Sequence, residues 1–322
     1  MADQSSLQTP GPPAPLTPPP APKIGLTAEL PPVEGEEDIV PPLQGEGGEV
    51  TDISQLSTAQ LYQLNQEFLD STVDPTRPLI DDAQPLAVLR AEYENGSPSF
   101  VQQIDWLEGK GFHAIRRTRG DGDCFYRSVA YLFVERLFFA PDPPLAVTQA
   151  ASGLEATLQL LSRAGFEDIV VSGFYEPLEE LIKNIIQPVD GQVLTLNGLL
   201  QGFQDPMTSN CIVTYLRMLT SAKIRTEPDD FAPFLIHPEL GEMMDPRTFC
   251  EVNVDPTGKE ADHVQMTALS QALGLNIDVA YLDGRSADGA VEFVQFRNAA
   301  EENELPMVLL YRPGHYDILI GK

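Results

Sequence analysis

Twelve of the 29 prolines in this 322-residue chain fall within residues 1–50, a stretch without a single phenylalanine, tyrosine or tryptophan. Proline removes backbone donors, and without aromatic side chains there is little area to bury. Such a stretch cannot offset its own chain entropy by packing. Residues 1–50 are therefore expected to be a disordered tail, Pro-rich first and acidic at Glu34-Gly35-Glu36-Glu37-Asp38. The run Pro18-Pro19-Pro20 is read as flexible spacer in preference to a polyproline ligand. What folds must fold from the 272 residues left when 50 are taken from 322, enough for one large domain or two small ones.

The formal charge is −28; the tail, with eight acids and one lysine, holds −7 of it and leaves −21 on the rest. Such a surface repels nucleic acid and anionic membrane and favours a basic partner, although plain solubility explains it as well. Three cysteines without Cys-x-x-Cys spacing argue against a disulfide framework and against a structural zinc site. The start, Met1-Ala2-Asp3-Gln4, has no basic region followed by an apolar core, and no apolar run approaches the roughly 18 residues of a membrane span. The expected setting is cytoplasmic, with the nucleus also open. Reducing conditions there allow a free, functional thiol.

Ser57 and Gln60 form a capping-box pattern, and Leu61, Leu64 and Phe68 follow at helical spacing. An amphipathic helix over Ser57–Leu69 is thus expected within a linker of residues 51–80, ahead of a domain over 81–322. Inside the domain, Leu86–Glu94 reads as a helix stopped by Gly96. Ser97-Pro98 reads as cap and first position of the next helix, which ends near Gly109. A short extended piece over Phe112–Thr118 leads to the loop Arg119-Gly120-Asp121-Gly122-Asp123 and an apolar helix from Cys124 to about Phe138. The middle, Leu154–Phe234, reads as mostly helical. Asp262 reads as the N-cap of a helix through Leu273 with Gly274 as its stop. Strands are expected at Asn276–Leu282, Val291–Phe296, Met307–Tyr311 and Tyr316–Ile320, the last two joined by a Pro313-Gly314 turn. Helices first and strands later predict an α+β domain.

Cys124 leaves a glycine-containing loop and opens a helix. Glycines let backbone amides crowd together as an oxyanion hole, and a helix N-terminus favours a thiolate. A small buried residue at a helix start would read the same way. His315 follows the tight turn, and Asp317 lies two residues on, on the same face of a strand. Asp317 can therefore bond one ring nitrogen of His315 and leave the other for Cys124, the nucleophile, base and orienter logic of covalent catalysis. Tyr316 should point the other way and pack. By itself a His-x-Asp is more often a satisfied surface histidine. His113, His237 and His263 lack comparable settings, and Cys211 and Cys250 read as structural thiols. Asp121 and Asp123 are turn-forming residues. A negative side chain beside a thiolate opposes it, so Asp121 fits shaping of the loop better.

Taken together, these segments resemble a known family. Thr118-Arg119-Gly120-Asp121-Gly122-Asp123-Cys124-Phe125-Tyr126-Arg127 is similar to the cysteine loop of ovarian-tumour-class deubiquitinating cysteine proteases. Tyr311-Arg312-Pro313-Gly314-His315-Tyr316-Asp317-Ile318-Leu319 resembles the histidine motif of the otubain branch, peptidase family C65. Tyr215-Leu216-Arg217-Met218-Leu219-Thr220-Ser221 and Ala261-Asp262-His263-Val264 fall between them in matching order. The resemblance implies a papain-like cysteine protease fold of the ovarian-tumour type, a helical region plus a small, mostly antiparallel sheet. It implies thiol-dependent hydrolysis of isopeptide bonds at the ubiquitin C-terminus, without metal or cofactor. It carries over Cys124 as nucleophile, His315 as general base, Asp317 as its orienter and Asp121 as the loop aspartate. Asp123 stands where the family often has asparagine, and Gly120 where otubains often have proline, which implies a looser loop. The implied partners are ubiquitin, polyubiquitin chains and ubiquitin-conjugating enzymes. The alternative is a ubiquitin- or conjugating-enzyme-binding regulator with secondary or no catalysis; a general papain-like protease fits the end motif less well.

Overall fold

A computed structural model describes residues 76–321, apart from 95, 238–240, 287 and 300–303. The expected tail and the expected helix at Ser57–Leu69 lie outside the described residues. In chain order the elements are β1 (Ile80–Pro85), α1 (Leu86–Tyr93), α2 (Pro98–Gly109), β2 (Ala114–Thr118), α3 (Cys124–Phe138), α4 (Pro143–Arg163), α5 (Asp168–Asn184), α6 (Leu196–Gln204) and α7 (Pro206–Thr226). Then come α8 (Pro228–Phe231), α9 (Pro246–Asn253), α10 (His263–Leu273), β3 (Asn276–Tyr281), β4 (Glu292–Arg297), β5 (Met307–Arg312) and β6 (His315–Ile320). Among the described residues no helix is long and apolar enough to cross a membrane.

The six strands form one sheet in the order β1-β2-β6-β5-β3-β4. All neighbours are antiparallel except β3 and β5, which run parallel. The α+β class and the mostly antiparallel sheet are as expected. Alternation along the strands explains how the sheet is covered on both faces. Leu309 and Ile318 face the large helical core with α3 and α7, while Leu310 and Leu319 face α1 and α2. Helix α3 buries Phe125, Val129, Phe133, Val134 and Leu137, each contributing about 1.5–3 kcal/mol. That burial fixes the helix on which Cys124 sits.

Several local expectations hold. Asp262 caps α10 with a full capping box through Gln265, and Gly274 ends it in the left-handed region at φ 61°. Ser97 precedes Pro98 in extended conformation but makes no side-chain cap; its hydroxyl pairs with Ser99 Oγ at 3.2 Å. Strand β1 has no counterpart in the sequence reading. Its sequence, Ile-Asp-Asp-Ala-Gln-Pro, is polar and ends in proline; only Ile80 is buried. It holds as an edge strand on β2, with an irregular register between Ile80 and Ala83.

Candidate active site

The chain reaches α3 through a glycine turn. Gly122 sits at φ 76°, and a Cβ there would lie 2.2 Å from the Gly258 carbonyl oxygen. Only glycine fits such a close approach. Cys124 then opens the helix, 2 % exposed.

Two buried arginines hold this loop. Arg127, from α3, donates to Asp121 Oδ1 at 2.9 Å and to Ser209 Oγ at 3.1 Å. Asp121 Oδ1 also accepts from the Asp123 N–H at 3.0 Å, the side-chain turn expected of it. Arg217, from α7, donates to Asp123 Oδ1 through Nε at 2.9 Å and to the carbonyls of Gly122 and Val254, each at 3.0 Å. Its guanidinium carbon lies 4.4 Å from the Tyr126 ring centroid. Gly258 N–H completes the set on Asp123 Oδ1 at 3.1 Å. Asp123 is thus an ion-pair partner where a neutral asparagine would only have hydrogen-bonded. Both aspartates of the loop are held by buried arginines.

The histidine end is built by the β5–β6 hairpin. Gly314, at φ 74°, supplies the left-handed residue that a turn with Pro313 before it requires. Arg312 pairs with His315 across the turn. His315 Nε2 lies 2.9 Å from Asp317 Oδ1. Asp317 is fully buried and also accepts from Thr118 N–H at 3.0 Å on Oδ1 and from Arg312 at 2.5 Å on Oδ2. Burial alone would raise the Asp317 carboxyl; the His315 and Arg312 charges and the Thr118 amide hold it well below the usual carboxylate range. Asp317 is therefore an anion, so the Nε2 proton belongs to the ring.

Nδ1 of His315 is buried and makes no full hydrogen bond. It is left for Cys124, which acts on the ring both as a charge and as a hydrogen-bonding group. Burial alone would lower the His315 imidazole; Asp317 and Cys124 outweigh it and push it up to about 9. Tyr316 points the opposite way, edge-on to Phe125 at 5.6 Å, and its hydroxyl donates to the Ala261 carbonyl at 3.1 Å. Desolvation raises the Glu260 carboxyl beside Ala261, and His315 draws it back.

The structure thus brings Cys124, His315 and Asp317 together, and places Asp121 in the loop, bonded to Arg127. His263 packs on Phe296 at 6.0 Å at the start of α10. Cys250 is buried, with its thiol pushed up to about 11 by desolvation, and Cys211 is half-buried on α7. Sequence reasoning gave no role to Arg217, Arg312 or Thr118. One signal was available for the arginines. Arg217 interrupts an apolar helical run, and a charge that deep must have an anionic partner.

The sequence profile of the family described as Peptidase C65 Otubain matches residues 73–321. OVARIAN TUMOR DOMAIN-containing deubiquitinating enzyme 1 of Arabidopsis thaliana is 36 % identical over 255 residues, 76 % of this chain and 81 % of that protein. Ubiquitin thioesterase OTUB2 of Homo sapiens is 36 % identical over 234 residues, 73 % of this chain and 91 % of that protein. A solved complex of ceOTUB1 with ubiquitin aldehyde and UBC13~Ub superimposes with a TM-score of 0.68 at 26 % identity, over 81 % of this chain and 99 % of that one.

Proposed function

The chain belongs to the otubain family, peptidase C65, and is a cysteine-type deubiquitinating peptidase; from that premise we propose that Cys124, His315 and Asp317 hydrolyse the isopeptide bond between a ubiquitin C-terminus and a lysine. The observation that carries this reading is the imidazole held by Asp317 on one nitrogen with the other buried and left for Cys124. His315 takes the Cys124 proton. The Cys124 sulfur attacks the terminal carbonyl carbon, a C–S bond forms, and the C–N bond breaks as His315 returns the proton to the leaving amine. Water, deprotonated by His315, then hydrolyses the thioester and restores the thiol.

The oxyanion falls to the backbone amides of the 120–124 loop. Asp121 already occupies the Asp123 N–H. The Cys124 N–H, at the first helical position, has no intrahelical partner and is a donor available to the oxyanion. Asp121 therefore serves the reaction by fixing the turn. Ubiquitin and lysine-linked polyubiquitin are the proposed substrates, met in the cytoplasm or nucleus. The acidic surface suits a basic partner.

A second reading rests on the solved relative with UBC13~Ub in its complex: this chain also engages ubiquitin-loaded conjugating enzymes. The test is turnover of a panel of linked di-ubiquitins by wild type and Cys124→Ala. Cleavage by wild type alone is expected. Equal cleavage by both would overturn the assignment. No cleavage by either, with binding to a ubiquitin-loaded conjugating enzyme intact, would favour the regulator.

A further inference from the structure

Five charged groups alternate in sign from the His315 ring outward. His315 bonds Asp317 Oδ1, and Arg312 donates to Asp317 Oδ2. The other arm of the Arg312 guanidinium, Nη1, lies 3.8 Å from Glu92 Oε2 in the last turn of α1. Glu92 Oε1 in turn accepts from Arg117 of β2. Tyr93, beside Glu92, also bonds Arg312. Arg312 and Asp317 are buried, while Glu92 is exposed.

Burying such a pair costs desolvation that its attraction only partly repays. Orienting the ring requires less than that: the Asp317 carboxyl, fixed by the Thr118 N–H, accepts the Nε2 proton without any help from Arg312. The full charge of Asp317 has a chemical consequence as well. A buried, uncompensated carboxylate would hold the imidazolium so firmly that its proton would not pass to a leaving amine. Arg312 cancels part of that charge from the far oxygen.

We propose that Arg312, itself held by Glu92, is a positioning residue that limits the pull of Asp317 on the imidazolium and so keeps its proton transferable to the leaving lysine amine. This rests on the assignment of Cys124, His315 and Asp317 above. The other groups facing the ring are Cys124 from α3 and Glu260 from the loop before α10. Arg312 acts from the opposite side, through Asp317.

The test compares two substrates on full-length protein: isopeptide-linked di-ubiquitin, whose amine must be protonated to leave, and a ubiquitin thioester, whose thiolate leaves without a proton. The readout is kcat/KM, which reports acylation. Arg312→Gln is expected to lose roughly ten-fold or more on the isopeptide and under about three-fold on the thioester, with the basic limb of the pH profile moved to higher pH. Glu92→Gln removes an anion that competes with Asp317 for the Arg312 guanidinium and should shift the same ratio in the opposite direction by about two-fold. Arg312→Lys keeps the charge and should keep the wild-type ratio even if both rates fall. Equal loss on both substrates in Arg312→Gln and Glu92→Gln would mean a merely structural arginine and would overturn the proposal. If Arg312→Gln does not fold, the exposed Glu92→Gln decides by the same ratio. Cleavage of both substrates by Cys124→Ala would instead remove the underlying assignment.

Discussion

The two ends of the site are held in opposite ways. The cysteine end is assembled across long sequence separations: Arg217 reaches from α7 to Gly122, Asp123 and Val254, and Gly122 packs directly on Gly258. The histidine end is assembled almost within itself, because Arg312, His315 and Asp317 lie on one hairpin, which Thr118, Glu92 and Tyr93 reach from elsewhere. Long-range clamping makes the nucleophile's position a property of the whole helical core. Local assembly makes the base and its orienter a property of one turn. Damage at the two ends should therefore look different.

The largest effect is expected at the histidine end. Asp317→Asn should cut kcat/KM by up to about 10⁴ through loss of the correct ring tautomer, as for other orienting aspartates. Ubiquitin binding should survive, measured by equilibrium titration, because the cysteine loop does not depend on Asp317. Loss of binding in step with turnover would break the distinction between the ends. At the cysteine end, Arg217→Gln should cost about 3–5 kcal/mol of folding stability, because it leaves Asp123 with an uncompensated charge in a buried setting. Denaturant titration measures that cost. A wild-type midpoint would mean that Arg217 does not clamp the loop. Gly122→Ala should fail similarly, since its Cβ would meet the Gly258 carbonyl at a positive φ.

That contrast also sets what was legible beforehand. The hairpin could be read because its determinants are neighbours: Pro313-Gly314 fixes the turn, and the two-residue period puts His315 and Asp317 on one side. The helix of Cys124 and the capping box at Asp262 were legible for the same reason. The clamps were not, because nothing local connects Arg217 to Asp123 across 94 positions. Strand β1 escaped because an edge strand with one buried side chain carries no alternating apolar pattern. Arg312 was in plain view, but its role depends on Asp317 being buried, and a sequence does not show that.

A smaller effect should separate the ends by pH. The folded-state imidazole of His315 sits at about 9 against an ordinary 6.5. The folded protein thus holds that proton more tightly than the unfolded chain. The stability it provides is complete below about 6.5 and is lost as pH rises through about 9. The melting temperature of wild type should fall over that interval, and His315→Gln should show a flatter profile. Parallel profiles would place the pH dependence elsewhere. The smallest effect is expected of Cys211→Ser, a near-isosteric change at a half-buried thiol outside both ends, which should leave turnover within about two-fold.

The most direct test is intact-mass analysis after exposure to ubiquitin carrying a thiol-reactive group at its C-terminus, with the modified cysteine located by peptide mapping. The result expected is one ubiquitin per chain, on Cys124 of the three cysteines, and none on Cys124→Ala. Labelling of Cys124→Ala at the wild-type rate, or modification of Cys211 or Cys250 in the wild type, would contradict the assignment of Cys124 as the nucleophile.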